Sequence, residues 1–367
     1  MPSGAVATYS VPGHGFAHSH EQATRNGIAK RLAVLKGFDF VGEYASAHSL
    51  SGPIYLVPSD TLVGLAAAAA LGVCDEHSLF GGTVPHPFVA TKAITHPLVA
   101  PGAIAPAGWP TEFGPRVQDA VLAGVTAFSG VDARRAGERL LEHGPVRVKS
   151  VRATGGRGQI VVSDLATLEA VLNMEDALNL SEHGLVLEEH LTDVTTYSVG
   201  QVRVADLTAS YYGTQRLTSD NSGAAVYGGS DLVVARGDFE ALAALNPPED
   251  ARLAVAQARV YDQAAMDCFA GMFASRRNYD IARGMNAAGR LRCGVLEQSW
   301  RIGGASGAEV AALEAFHADP GLHAVRASTV EIYGEPEPPP HATVYFRGED
   351  ERDGPMTKYA LTEPHHV

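Results

Sequence analysis

Cysteine is scarce. The 367 residues hold three, Cys74, Cys268 and Cys293, far apart and without CxxC or CxxH spacing. This excludes a disulfide framework and a cysteine zinc site, and it points to a reducing compartment. Long hydrophobic runs are also missing: the most apolar stretch, 62–74, falls short of the about 20 residues that cross a bilayer, so a buried helix is expected there and no membrane partner. The N-terminal MPSGAVATYSVPGHGF has no basic region followed by an apolar stretch, so a cytoplasmic protein without a signal peptide is expected. Basic residues are few, 28 Lys+Arg against 41 Asp+Glu, for a formal charge of −13. Nucleic-acid binding draws on clustered cations, so nucleic acid is excluded as a partner.

What the chain does have is material for cores, with 46% hydrophobic residues and 39 glycines. At about 150 residues per domain its length corresponds to two or three folding units. The first hundred residues alternate signals, with helices at 21–36 and 60–71 and strands at 38–41 and 53–57, as in an α/β domain with a parallel sheet. Prolines at 85, 87, 97, 101, 106 and 110 make 72–114 a connection. Three- and four-residue periodicity predicts helices at 115–129 and 132–143. A strand at 145–151, a break at ATGGRGQ, the strand IVV, a helix at 165–173 capped by Ser163 or Asp164, and a strand at 184–189 form a compact unit. Strands follow at 197–204 and 208–217, NSGAAVYGG (221–229) reads as a mobile loop, and a long helix covers 249–274. A hairpin of 279–282 and 292–300 precedes a helix at 306–316, and the last forty residues read as strands broken by EPEPPP, with a disordered tail. No internal repeat is evident.

Three places can carry chemistry. Lys149 sits on a strand followed by Thr154-Gly155-Gly156-Arg157-Gly158, where glycines let backbone N–H groups approach a phosphate and the ammonium adds charge. Alone, the loop reads equally as a turn, and it is neither a Walker A loop nor a dinucleotide fingerprint. Leu187-Glu188-Glu189-His190-Leu191 alone reads as a solvated strand end. The third place is the hairpin: Asp280 and Glu297 fall on one face if its strands pair antiparallel, and Ser299 and Arg301 share that face by the period of two. Paired carboxylates near phosphates suit Mg²⁺, and GGASGAE, opening the next helix, adds free N–H groups for an anion. His14, His18 and His20 read as a solvated N-terminal segment rather than a metal site.

In this order, a strand Lys, a Gly-rich loop, an acidic strand end and a hairpin ending in Glu-x-[Asn]-x-Arg resemble the ATP-grasp superfamily over about residues 115–320. The resemblance implies an ATP-grasp fold, two α+β subdomains clamping ATP, after a smaller N-terminal α/β domain. The expected division is 1–105 for that domain, 106–200 for the small subdomain with the loop, 201–330 for the large subdomain with the metal site, and 331–367 for C-terminal strands and a flexible tail. It implies ATP and Mg²⁺ as cofactors, and a ligase that activates a carboxylate as an acylphosphate for an amine or other nucleophile. Small-molecule substrates are therefore the expected partners, and a homodimer is compatible with the reading. By position, Lys149 corresponds to the lysine on the phosphates, Gly155, Gly156, Arg157 and Gly158 to the loop covering them, and Lys92 to a second lysine upstream. Glu188, Glu189, His190 and Leu191 correspond to the adenine hinge. Asp280 and Glu297 correspond to the Mg²⁺ ligands, with Ser299 where relatives carry Asn, and Arg301 to the arginine at the transferring group. Thr195 and Thr196 stand where relatives place a ribose-binding Glu. Arg216, with Tyr211 and Tyr212 on its strand, is a candidate for holding a substrate carboxylate through its planar fork. A small-molecule kinase of the same fold and a nucleotide-binding regulator without turnover remain open.

Overall fold

A computed structural model describes residues 4–12, 19–45, 52–152, 158–175 and 177–365. The N-terminal segment supplies β1 (Ala5–Tyr9), α1 (Ser19–Lys36), β2 (Asp39–Glu43) and β3 (Ile54–Pro58). Both β2 and β3 pair parallel with β1. Ile28, Ala29, Leu32 and Ala33 make one apolar face of α1, and they share a core with Val6, Tyr55 and Val57 of the strands. Next come β4 (Leu62–Val63), α2 (Leu65–Ala70) and β5 (Gly82–Val84), so the helix expected over 60–71 begins only after a short strand.

The proline-rich connection contains the one-turn segment Lys92–Thr95 and α3 (Phe113–Val117). A four-stranded sheet follows, built from β6 (Gly124–Ala127), α4 (Gly130–Leu141), β7 (Val146–Ser150), β8 (Gln159–Val162), α5 (Leu165–Met174), α6 (Ala177–His183) and β9 (Leu185–Glu189), in strand order β6-β9-β7-β8. The helix expected at 115–129 is therefore wrong past Val117. Residues 124–127 form an edge strand against β9, because tertiary pairing outweighs a periodicity shared by short apolar runs. Ser129 caps α4 through Asp132 N–H, and Asp164 caps α5 through Thr167 N–H. A Cβ on Gly137 would come within 2.3 Å of Leu168, so the two helices pack too closely for a larger residue there.

The remaining chain forms β10 (Thr192–Val204), β11 (Leu207–Ser219), β12 (Ala225–Arg236), α7 (Phe239–Ala244), α8 (Glu249–Cys268), β13 (Phe273–Ala274), β14 (Arg276–Met285), β15 (Leu291–Ser299), α9 (Ser306–Ala318), β16 (Ala324–Tyr333), β17 (Thr343–Asp350) and β18 (Gly354–Pro364). An antiparallel sheet of eight strands runs β15-β14-β10-β11-β12-β16-β18-β17. At the β15–β14 edge of that sheet, Tyr279, Ile281 and Val295 pack with Ala254, Ala258 and Tyr261 of α8. Since strand side chains alternate, Asn278 and Asp280 point to the other face. Val234 and Val325 share a core with Val310, Leu313 and Phe316 of α9 and with α1.

β10 joins the large sheet from residue 192. Residues 324–364 continue that sheet through β16, β18 and β17. The expected loop at 221–229 is a turn at 220–224 leading into β12, with Asp220 accepting from the Ser222 and Ala224 N–H groups. No described helix is long and apolar enough to cross a membrane.

Met356 of β18 is only 1% exposed. Met356→Ala is expected to lower the unfolding free energy by about 2–5 kcal/mol, the usual range for emptying a buried site. Urea unfolding measures it, and a loss below about 1 kcal/mol would show that β18 does not belong to the folded core.

Candidate active site

The exposed face of β14 and β15 floors a cleft of about 880 Å³, walled by the small subdomain, the connection, α1 and the turn before α9. Asp280 and Glu297 are directly opposed partners in the β14–β15 ladder, and Asn278 faces Ser299. The register shifts just past Asp280, a bulge that ends regular pairing beside the two acids. The hairpin thus brings the carboxylates together as the sequence spacing implied.

Opposed carboxylates in a buried setting cannot both ionise freely. Burial, and then the charge of Glu297, push Asp280 up to about 6, although Gln215 hydrogen-bonds its carboxyl. Its Oδ1 is buried without a hydrogen-bond partner among the described residues. Burial also works against ionised Glu297, but Lys92, Lys149 and Arg301 hold it below the usual carboxylate range. Lys92 Nζ lies 2.7 Å from Glu297 Oε2. An orphaned carboxylate oxygen beside a second carboxylate fits an oxygen-seeking divalent cation such as Mg²⁺, because the cation would relieve both the repulsion and the missing bond.

Lys149 on β7 and Glu188 on β9 project from one face of the small sheet and form a buried ion pair. His96 Nε2 lies 3.1 Å from the other Glu188 oxygen. Burial opposes the Glu188 charge, yet Lys149 and His96 overcome it and hold the carboxyl at about 2. Glu188 is therefore not a solvated strand end, and its carboxylate is committed to Lys149 and His96. A Cβ on Gly124 would sit 2.6 Å from the His96 ring, so only glycine lets that ring pass under β6.

Leu191, Leu122, Ala282 and Leu296 form a small apolar cluster lining the same cleft, with Thr195 and Thr196 beside it. Glu189 also lines the cleft, where it accepts from Arg292 Nε at 3.0 Å and from Ala123 N–H. Arg301 reaches it from the far side, its Nε 3.5 Å from Asp60 Oδ1, and Gly303 and Gly304 follow at the approach to α9.

Other expected residues are placed elsewhere. Arg216 pairs with Asp231 at 2.8 Å, donates to Thr329 O and is not among the cleft-lining residues, so it is not positioned to hold a substrate. The His190 ring faces Arg147, 3.1 Å away, and lies off the cleft wall. Ser299 lines the cleft, but its Oγ accepts from Arg276 Nη1 at 3.1 Å. His20 is buried rather than solvated, with Nε2 3.0 Å from Asp353 Oδ2. Gly158 has φ of +65° at the loop exit; Gly155, Gly156 and Arg157, like His14 and His18, lie outside the described residues.

Sequence reasoning missed His96, Gln215, Asn278, Arg276 and Glu309. Arg276 and Asn278 were within reach, since they precede Asp280 at the period of two already used for Glu297, Ser299 and Arg301. Glu309 ends the GGASGAE segment and Gln215 adjoins Arg216, but nothing local shows which way either faces, and His96 comes from the connection.

Comparison with known proteins then decides the family. The chain belongs to the family described as "Protein of unknown function (DUF3182)". That family's model matches residues 9–360. No curated relative matches the sequence. Among solved structures, carboxyaminoimidazole ribonucleotide synthase from Aspergillus clavatus complexed with ATP superposes with a TM-score of 0.52 at 14% identity, covering 98% of this chain and 94% of that one. Biotin carboxylase from Campylobacter jejuni, as a β,γ-ATP complex, gives 0.52 at 9% identity, covering 99% and 88%. The biotin carboxylase domain of Hydrogenobacter thermophilus 2-oxoglutarate carboxylase, in complex with MgADP, ADP and bicarbonate, gives 0.50 at 13% identity, covering 99% and 86%. These are ATP-grasp enzymes, and the fold of this chain is ATP-grasp with a smaller N-terminal α/β domain in front.

Glu188 offers a test of the buried pair. A carboxyl held at about 2, against an ordinary 4.5, contributes stability above pH 4.5 that is lost as the pH falls towards 2. Glu188→Gln, which strands Lys149, is expected to cost about 3–5 kcal/mol at pH 7. Urea unfolding at pH 7 and in the acid limb should show that deficit shrinking below pH 4.5. A deficit independent of pH would contradict the ionised pair.

Proposed function

We propose that this chain is an ATP- and Mg²⁺-dependent ligase that activates a small-molecule carboxylate as an acylphosphate for attack by an amine or other nucleophile. The observation that carries this reading is the opposed pair Asp280 and Glu297, with an orphaned oxygen, on the floor of a cleft that also holds Lys92, Lys149 and Arg301. Its volume of about 880 Å³ is at the upper end of the roughly 300–1,000 Å³ of small-molecule sites, enough for a nucleotide and a second small molecule.

The roles follow from the charges. Asp280 and Glu297 would hold Mg²⁺. When bound, ATP supplies the phosphoryl group that converts a poor acyl donor into a reactive one, and the cation screens its negative charge. Lys149 and Lys92 would turn from Glu188 and Glu297 towards the phosphates, each starting from a carboxylate that aims it. The apolar patch of Leu122, Leu191, Ala282 and Leu296 suits the faces of a purine, and Thr195 and Thr196 offer hydroxyls where a ribose would lie. Gly155, Gly156, Arg157 and Gly158 would cover the phosphates and exclude water, which would otherwise hydrolyse the activated acid. Arg301, beside the turn before α9, would hold the carboxylate being activated. Positioning and fixed positive charge supply most of the rate in phosphoryl transfer.

Given Mg²⁺, ATP and a pool of carboxylic acids and amines, the protein is expected to release ADP and leave a condensed product detectable by mass. Asp280→Asn and Glu297→Gln should each reduce ADP release by about a hundredfold or more. If no acid and amine induce ADP release, or if both variants match the wild type, the ligase reading fails. A stable phosphate ester would instead assign the chain as a kinase.

A further inference from the structure

On β15, Gln298 is an amide placed among apolar side chains. Glu297 and Ser299 line the cleft, and Gln298, between them, points to the opposite face beside Tyr279, its partner in the β14–β15 ladder. It is buried and does not line the cleft. A buried amide costs free energy unless its groups are bonded, and here they are bonded largely to one segment. Its Nε2 donates to the carbonyls of Val89 and Thr91, at 2.9 and 2.6 Å, and its Oε1 accepts from the Tyr261 hydroxyl at 3.2 Å. That hydroxyl lies 3.1 Å from Thr95 Oγ1, so the far end of the same one-turn segment is tied to the amide as well.

The Thr91 carbonyl belongs to the peptide bond that leads into Lys92. β15 is the outer strand of the large sheet, so its open side is free to take this segment, and farther along Val295 N–H donates to Ala120 O. Thr91 Oγ1 donates to Phe88 O and accepts from Ala93 N–H, closing the turn on either side of Lys92. Two consecutive residues therefore hold one lysine from opposite faces of the strand: Gln298 takes the carbonyl ahead of it, and Glu297 takes its ammonium at 2.7 Å. A lysine ammonium is a point charge on a flexible four-carbon stem, so its place depends on where its backbone is anchored. We propose that Gln298 is a positioning residue for Lys92: its amide touches no nucleotide but fixes the backbone from which the Lys92 ammonium meets Glu297 and the phosphates. The inference rests on the nucleotide reading above. It also accounts for an amide where its neighbours on the face, Tyr279, Ile281 and Val295, are core residues.

The test is a double-mutant cycle on MgADP affinity, read by calorimetry on the full chain, with folding checked by thermal unfolding. Gln298→Leu and Lys92→Met are each expected to weaken MgADP about tenfold. The double variant should bind no more weakly than Lys92→Met alone, because without the ammonium there is nothing left to place. Val295→Ala, which loses packing on the same strand and face, is expected to bind MgADP as the wild type does. Unchanged affinity in Gln298→Leu overturns the proposal. So does a double variant about a hundredfold weaker, the product of two independent effects, or a loss in Val295→Ala equal to that in Gln298→Leu, since either shows a merely structural effect. If Gln298→Leu does not fold, Gln298→Met, which keeps the length of the side chain but donates to neither carbonyl, goes through the same cycle. Independently of any variant, amide exchange over 92–95 in the wild type at the rate of an open loop shows that the turn is not held, and overturns the proposal. A wild type that binds no MgADP removes the nucleotide reading instead, and this inference with it.

Discussion

Two carboxylates forced to face each other on the floor of a buried cleft set the terms for the rest of this molecule. Asp280 and Glu297 are held opposite by the β14–β15 ladder, at one edge of the eight-stranded sheet. Burial raises the energy of both charges, and proximity raises it further. The surrounding structure answers with cations: Lys92 on Glu297, Arg276 under Ser299, and Lys149 and Arg301 close enough to be felt at Glu297. A site with this balance favours a divalent ion and polyanionic phosphates, because each relieves a strain that the other leaves.

The connection between the N-terminal domain and the small sheet is more than a linker. Within five residues it delivers Lys92 to Glu297 on the large sheet and His96 to Glu188 on the small one. It is fastened to β6 by the Thr126 hydroxyl on Ala93 O and by Thr126 N–H on Pro97 O. The two walls of the cleft are therefore registered against a common segment, so Lys149 on one wall stands in a fixed relation to the acids on the other. Prolines explain its irregular backbone.

The chemistry-bearing residues on strands were legible because the period of two places side chains on a face without knowledge of the fold. Glu297, Ser299 and Arg301 could be grouped that way, and so could Asp280 once a hairpin was recognised. The same rule, extended two and four residues back from Asp280, reaches Asn278 and Arg276. It does not reveal that Arg276 is buried against Glu309 of a later helix, since that pairing depends on how α9 lies across the sheet. Arg216 shows the opposite failure: an arginine with suitable geometry on a suitable strand is neutralised by Asp231 on the next strand, which period alone cannot foresee. For β6, a short apolar run had no length to separate strand from helix, and the edge of β9 decided it.

The negative balance of the sequence argued against a polyanionic surface partner but left a local anion site open, since such a site needs a few cations correctly placed. By itself the sequence determined the order of elements around Lys149, Asp280 and Glu297, the hairpin that pairs the acids, and the caps that start α4 and α5, because these depend on neighbours along the chain. Only the tertiary structure decided which charges meet: Glu188 with Lys149 and His96, Lys92 with Glu297, Arg276 with Glu309. Electrostatic energy varies steeply with distance and burial, and both are set by packing between segments remote in sequence.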